Sequence, residues 1–399
     1  MNTSTLPLSS FSIHRGASRP PGVAVTGVGV VSPHGHHATR MFEALMRGQS
    51  AASQRTAQAI HSALRAEADF EPFPWLTRLE MTGADRKTQM AVVAAKLAFL
   101  DAHVMRWTDP ERVGLFCGYS PPTRPPARDL PGFGASALTP AASAAHIAKH
   151  LGVHGPVVCE CRDDAASAIA ITHAAAAIQR GEIDVALCGG THALQADCAP
   201  PNGVGLCGEG AAFLMLESTS HAARRARVCC IELAGSGIRS ASPGPGAENT
   251  WQDSLSRAMQ AALADALEAS HLAAADVGYC NADGAADAAT ECHALREVWG
   301  DDQGSLRVSA TKALHGDLHG GAGALEAAIT VMALHRRAVP PTVGRPQPRC
   351  ACGLNHVVRI GVPMPQLHAA ISNSFASGGT HAVLAFRRID GPAFATARG

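Results

Sequence analysis

The sequence predicts an α/β protein with buried sheets, and two observations carry that expectation. Short apolar runs that stop at Gly pairs alternate with Ala-rich helical stretches along the chain. The two halves also echo each other. Each holds strand-plus-helix units and finishes with a Gly-rich turn between two strands, and Gly-Gly-Thr-His occurs in both, at 189–192 and 378–381. We expect a tail over 1–22, a first half over 23–220 and a second over 225–390. With 399 residues, 46% of them hydrophobic, the chain is ample for a large core.

Val23–Val31 is an apolar strand that runs into Ser32-Pro33, and a helix follows from Ala38 to Arg47. Its Gly27-Val-Gly29 lacks a third Gly opening a helix, so a dinucleotide fingerprint fails. Ala51–Glu80 is Pro-broken and expected to be irregular. Lys87–Ala102 is an Ala-rich amphipathic helix, Val113–Gly118 a buried strand, Pro121–Pro131 a loop with five Pro, and Ala141–Leu151 a helix.

The central stretch starts at Pro156, makes a tight junction at Cys161-Arg-Asp-Asp164 and enters a helix over 165–180. Gly181 ends that helix, and the strand Val185–Cys188 stops at Gly189-Gly190. Free N–H groups at a helix start favour acidic caps, and they also favour a reactive anion. Asp164 is open to both readings. Thr191–Gly208 is expected to be loop.

Strands follow at Gly210–Glu217 and Cys229–Ser236, then a helix at Ser254–Glu268 and a strand at Val277–Ala282 that ends at Asp283-Gly284. Asp287 is expected to cap a helix reaching Trp299. Leu306–Ala310 is a strand, a Gly-rich loop leads to the helix Gly323–Arg336, and Ala369–Asn373 pairs with Ala382–Phe386 around Gly378-Gly379.

Composition excludes several function classes. Net charge is zero and aromatics are 4%, which leaves neither a basic field nor a stacking platform for nucleic acid. No run of about 20 apolar residues suggests a membrane span. Met1–Pro21 lacks the basic start and apolar run of a secretory signal. Cys117, Cys188, Cys229, Cys230 and Cys280 sit in strand-like apolar runs as small hydrophobes. Cys159/Cys161 and Cys350/Cys352 are Cys-x-Cys pairs rather than the Cys-x2-Cys of zinc sites. These features fit reduced thiols and a cytoplasmic location. His315 and His319 have helical ligand spacing but lie in a Gly-rich loop, so no metal site is assigned.

Together these motifs resemble the β-ketoacyl synthase family of the thiolase-like fold, over Val23–Phe386. Val25-Thr-Gly-Val-Gly-Val-Val-Ser-Pro33 is similar to the family's first strand and loop. Gly181–Gly190 is similar to the strand after the nucleophile helix. Asn281-Ala-Asp-Gly284, Lys312–Gly323 and Asn373-Ser-Phe-Ala-Ser-Gly-Gly-Thr380 resemble the three remaining signature loops. The resemblance implies a layered αβαβα architecture of two pseudo-repeated halves, a two-fold dimer and Claisen condensation of acyl thioesters.

The departures fall on the chemistry. Counting back from Gly189-Gly190 without a gap places Asp164 where the family has its nucleophilic Cys; Cys161 is three residues early. The family's two His positions are Asp283 and Asp317, and a gating Phe is Ser377. Lys312 and Glu326 remain. We expect Asp164, Asp283 and Asp317 to mark a degenerate triad, with Cys161, Lys312, Glu326, Phe375 and Ser377 around the substrate. An ionised Asp only accepts hydrogen bonds and repels a developing enolate, so condensation by this chain alone is not expected.

Two readings follow. In the first, the chain resembles a chain-length factor of a type II polyketide or fatty-acid-like system. It would pair with an active ketosynthase as a heterodimer, shape the acyl tunnel, and meet an acyl carrier protein whose phosphopantetheine arrives only as carrier-bound substrate, with no cofactor of its own. The apolar edge near Val157–Cys161 is the expected interface. In the alternative, the three Asp do acid/base chemistry on an acyl thioester: crowded carboxylates either raise one pKa or gather a cation such as Mg2+. The plain readings are a helix cap at Asp164, an Asp-Gly turn at Asp283, loop donors at His315 and His319, and Lys312 paired with a carboxylate.

Overall fold

The computed structural model describes residues 21–52, 64–73, 75–81, 84–104, 109–119, 140–194, 205–242, 250–284, 288–300, 305–344 and 353–389. The tail through residue 20, the Pro-rich 121–131 loop, Asp287 and the Cys350/Cys352 pair lie outside them. The first half contains β1 (Val23–Val31), α1 (Ala38–Met46), β2 (Leu64–Ala66), α2 (Arg78–Met81), α3 (Arg86–Asp101), β3 (Val113–Tyr119), α4 (Pro140–Leu151), β4 (Val157–Glu160), α5 (Ala166–Gln179), β5 (Val185–His192), β6 (Leu206–Gly208), β7 (Gly210–Ser218) and α6 (Thr219–Arg224). The second contains β8 (Ile231–Ser240), α7 (Trp251–Ser270), β9 (Val277–Asn281), α8 (Ala288–Trp299), β10 (Arg307–Ser309), α9 (Lys312–His315), α10 (Ala322–Arg336), β11 (Ala338–Val339), β12 (Asn355–His356), β13 (Val362–Pro363), β14 (Ala369–Phe375) and β15 (Thr380–Arg388).

The main sheet runs β12-β10-β9-β14-β15-β8-β1-β7-β5-β3-β4. Its halves meet at one pair of residues, Ala24 opposite Glu232. Outward from that seam, β1-β7-β5-β3-β4 and β8-β15-β14-β9-β10 follow the same order of chain and the same sense of pairing. This is the duplicated, layered αβαβα arrangement expected from the sequence. The shared Gly-Gly-Thr-His is not part of the duplication: one copy closes β5 and the other opens β15, which are not equivalent strands.

Helices α5 and α10 form the middle layer, packed on each other and reaching strands of both halves. They are buried nearly all round, which is why neither shows a polar face and why Ala dominates both. Helices α3 and α4 close one outer face over β3, β5 and β7, and α7 and α8 close the other over β9, β14 and β15. Thr250 and Asp253 form a capping box at α7, and Asp85 caps α3 by accepting from Thr88 N–H.

Several boundaries differ from the sequence expectation. The 191–208 segment is not all loop: β5 continues to His192, and β6 pairs in parallel with β2 inside the stretch expected to be irregular. The eighth strand begins at Ile231 rather than Cys229, because the Cys229 thiol turns back to the Arg227 carbonyl and the side chain packs between Ala24 and Ala222.

Close approach at the middle layer depends on glycine. A Cβ at Gly118 would run into the backbone of Ser167, at the entrance to α5. A Cβ at Gly190 would sit 2.9 Å from the Ser167 Cβ and 2.6 Å from the Gly320 carbonyl oxygen. The Gly118→Ala variant is therefore expected to lose about 2 kcal/mol or more of stability in denaturant unfolding, since neither backbone can yield; a neutral result would show that α5 is free to shift.

Candidate active site: a buried carboxylate cluster

The turn into α5 is sharp. Asp163 adopts φ +46°, in the left-handed region, and residues 163–165 form a 3₁₀ turn before the α-helix. This corrects the cap reading of Asp164: the helix N-cap is Ala165 and no side chain caps it. Asp164 points instead toward the loop between α9 and α10, where its Oδ1 lies 3.4 Å from His319 Nδ1. His319 is a second non-glycine residue at positive φ, +42°, and its own 3₁₀ turn packs on that of Asp164.

Asp317 is placed by β6. Its N–H donates to the Leu206 carbonyl at 2.7 Å and its carbonyl accepts from Gly208 N–H at 2.9 Å. Its Oδ1 accepts from His319 N–H at 2.9 Å. One ligating atom each from Asp164, Asp317 and His319 falls within 4.8 Å of the others. The His192 ring, at the end of β5, stands edge-on to His319 with centroids 4.7 Å apart.

Asp283, the third expected position, belongs to an adjoining network. Lys312 Nζ donates to Asp283 Oδ1 at 2.6 Å and to Glu326 Oε1 at 2.7 Å. Asp283 N–H and Gly284 N–H donate to the two oxygens of Glu291, each at 2.9 Å, and Asn373 Nδ2 donates to the same carboxyl at 2.8 Å. Phe375 N–H donates to Asp283 Oδ1 at 3.3 Å. The pairing of Lys312 is as expected, but with two carboxylates rather than one. Glu291, which the sequence reading missed, lies on the α8 stripe that also buries Leu295 and Trp299. That spacing was the available signal.

The other expected residues divide. Phe375 is buried and stacks edge-on with His381. Ser377 is exposed, and its hydroxyl donates to Asp163 Oδ2 at 2.9 Å. Cys161 is exposed, and partial burial with the Glu160 charge pushes its thiol up rather than toward a thiolate. His315 is a structural residue: Nδ1–H donates to the Gly316 carbonyl, Nε2 accepts from Thr311, and burial lowers its pKa to about 3.

The electrostatics split the carboxyls. Burial opposes the Lys312 charge, but Asp283, Glu326 and the two site Asp outweigh it and hold its pKa well above the usual value. Burial would also raise Asp317, yet the Lys312 and His319 charges outweigh it and keep Asp317 below the carboxylate range. Asp164 goes the other way: burial, then the Asp317 charge, raise it to about 7. Burial likewise lifts Glu326 and Glu291. Near neutrality the site holds an ionised Asp317 beside an Asp164 that is in the course of losing its proton.

Two outcomes follow. Folded Asp164 holds a proton up to about pH 7, whereas the unfolded chain releases it near pH 4, so this group's contribution to stability falls as pH rises through that window. Asp164→Asn should remove the fall, gaining on the parent by on the order of 3 kcal/mol in urea unfolding between about pH 4.5 and about pH 8. Equal pH profiles would mean that the native carboxyl is already ionised. Lys312→Met should cost about 3–5 kcal/mol, because it strands Asp283 and Glu326 without their cation, while Ser377→Ala stays within about 0.5 kcal/mol.

Family models described as "Beta-ketoacyl synthase, N-terminal domain" and "Beta-ketoacyl synthase, C-terminal domain" match residues 21–199 and 230–345. The chain is 32% identical to Nodulation protein E of Rhizobium leguminosarum bv. trifolii, over 92% of this chain and 99% of that one. It is 28% identical to the 3-oxoacyl-[acyl-carrier-protein] synthase 2 of Coxiella burnetii, over 92% and 98%. Its fold matches a β-ketoacyl synthase from Burkholderia phymatum with a TM-score of 0.80 at 24% identity, and the ishigamide ketosynthase/chain length factor with 0.79 at 24%. Each alignment covers 93% of this chain and 100% of the other.

Proposed function

The chain belongs to the β-ketoacyl synthase family, and from that premise we propose that it is a non-condensing subunit of the chain-length-factor kind, partnered with an active ketosynthase. The observation that carries this reading is the absence of a usable nucleophile: the position at the entrance to α5 is Asp164, buried and faced by Asp317, and the nearby Cys161 is exposed with its thiol pushed up. A carboxyl at that place cannot carry an acyl chain as a thioester. Asp283 and Asp317, at the other two positions, accept rather than donate, so neither stabilises an enolate oxygen.

The partner reading draws support from the sheet edge. Strand β4 is the last strand of its half, and Val157 is 45% exposed on it. An apolar edge strand beside the site invites a same-fold partner. One solved fold neighbour is titled a ketosynthase/chain length factor, and another, AntDE:AntF, a ketosynthase in complex with its acyl-carrier protein. An active ketosynthase and a carrier protein are the partners this chain would meet, the carrier's phosphopantetheine arm arriving as part of the substrate. Among the described residues no helix is long and apolar enough to cross a membrane.

One observation favours the alternative of a repurposed enzyme. An Asp164 that titrates near 7 beside an ionised Asp317 is a general acid poised for neutral pH, and the relatives at 28–32% identity are named as a nodulation protein and a synthase. Mass spectrometry separates the readings. The purified chain, given acyl and malonyl carrier thioesters, is expected to gain no acyl group and yield no condensation product. Co-expressed with a ketosynthase it should elute as a heterodimer, with Asp164→Ala changing turnover by no more than a few-fold. Acylation at Cys161, or a reaction of the chain alone that Asp164→Ala abolishes, would overturn the subunit reading.

A further inference from the structure

We propose that Asp164, Asp317, His319 and His192 bind a divalent transition-metal ion, Zn2+ foremost, at the entrance to α5. The inference goes beyond the subunit reading and stands whether or not the chain pairs with a ketosynthase. Three independent features of the site carry it.

The first is the donor set. Asp164, Asp317 and His319 each present a ligating atom within 4.8 Å of the others, from segments that the fold brings together from both halves. The 3.4 Å between Asp164 Oδ1 and His319 Nδ1 is already about the edge of a tetrahedron with metal–ligand bonds of roughly 2.0–2.1 Å. Small side-chain rotations bring the Asp317 oxygen to the same centre.

The second is His192. Its Nε2 is sealed from solvent and has no hydrogen-bond partner, although its ring lies against that of His319. A buried imidazole nitrogen without a partner calls for an explanation. His192 stands just outside the three-atom cluster, and a turn of its ring toward an ion held there would give this nitrogen its partner and complete an Asp2His2 set.

The third is charge. Asp164, Asp283, Asp317, Glu291 and Glu326 share one neighbourhood with a single ammonium, Lys312, which is spent on Asp283 and Glu326. Among the described residues no Lys or Arg pairs with Asp164 or Asp317. A dication that displaces the Asp164 proton would be balanced by the two carboxylates. The mixed carboxylate and imidazole donors select a first-row transition ion over Mg2+ or Ca2+, which take oxygen alone. The ion would tie the 163–165 turn to the end of β5 and to the 316–321 loop.

The full chain, stripped with a chelator, is reloaded with Zn2+ and followed by native mass spectrometry, then with Co2+ and followed by visible absorption. One equivalent should bind, with ligand-field bands and no sulfur-to-cobalt charge-transfer band. Asp317→Asn and His192→Ala should each weaken binding at least about 100-fold, since removing a direct ligand costs no less than removing an outer-shell partner. Circular dichroism of the metal-free variants checks that they fold, and a Cys159→Ser/Cys161→Ser double variant should bind as the parent does. No stoichiometric ion, affinity unchanged in both ligand variants, or a charge-transfer band lost in the Cys double variant would overturn the site.

Discussion

The Lys312 ammonium, buried and gripped by Asp283 and Glu326, is the interaction on which the rest of the site depends. It joins the end of β9, the short helix α9 and the buried helix α10 at one atom. An ammonium leaves water only where counter-charges and hydrogen bonds replace its hydration. Here they come from two carboxylates and the Asp283 carbonyl. Those partners are held in turn: Asn281 Nδ2 donates to the Glu326 carbonyl, Phe375 N–H reaches Asp283, and Glu291 receives the Asp283 and Gly284 amides. The ion pair is thus the hub of a polar network that crosses between β9, β14, α8 and α10.

The same charge orders the neighbouring carboxyls. Lys312 does not touch Asp317, but its field helps to keep Asp317 ionised. Asp317, once ionised, adds to burial in raising Asp164. The cation thus acts on two acids that it does not bond: it lowers Asp317, and at Asp164 its direct pull is outweighed by burial and the Asp317 charge. On the subunit reading proposed above, the same acids account for a chain that does not condense alone: carboxyls stand where that reading needs enolate-facing donors and a thiolate.

The layered fold was legible because its signals are local. Apolar runs bounded by glycine or by Ser-Pro marked β1, β3, β5 and β7, and Ala-rich stretches marked α3, α5 and α10. The sequence showed two halves that echo each other, and the order of strands within them came only with the structure. What was not legible was tertiary. Strand β6 gains its structure by pairing with β2, more than a hundred residues earlier, and by a bridge to Asp317, more than a hundred later. Glu291 shares the apolar stripe of α8, but the partners that make a buried acid acceptable there, the Asp283 and Gly284 amides and Asn373, are tertiary. Asp164 was found by counting from Gly189-Gly190, yet its partners His192 and His319 were not, since no spacing rule links residues 164, 192, 317 and 319. The cap reading failed for a backbone reason: the left-handed Asp163 swings the next side chain away from the helix start.

Backbone packing and side-chain chemistry are separable here. The turn into α5 is held by glycines that admit Ser167 and the 320–321 loop, and by Ser167 Oγ accepting from Ala324 N–H at 2.8 Å. None of these contacts uses the side chain of residue 164, so the scaffold does not dictate what stands there. The acids themselves are another matter. Gathering several buried carboxyls around one ammonium works against folding, and apolar side chains of similar size would serve a purely structural wall better. A tunnel lining alone does not account for Asp164, Asp317 and the partnerless His192 nitrogen in one place. Their combination makes sense where the charge is used, by a proton held near neutral pH or by a cation that the carboxylates and imidazoles share.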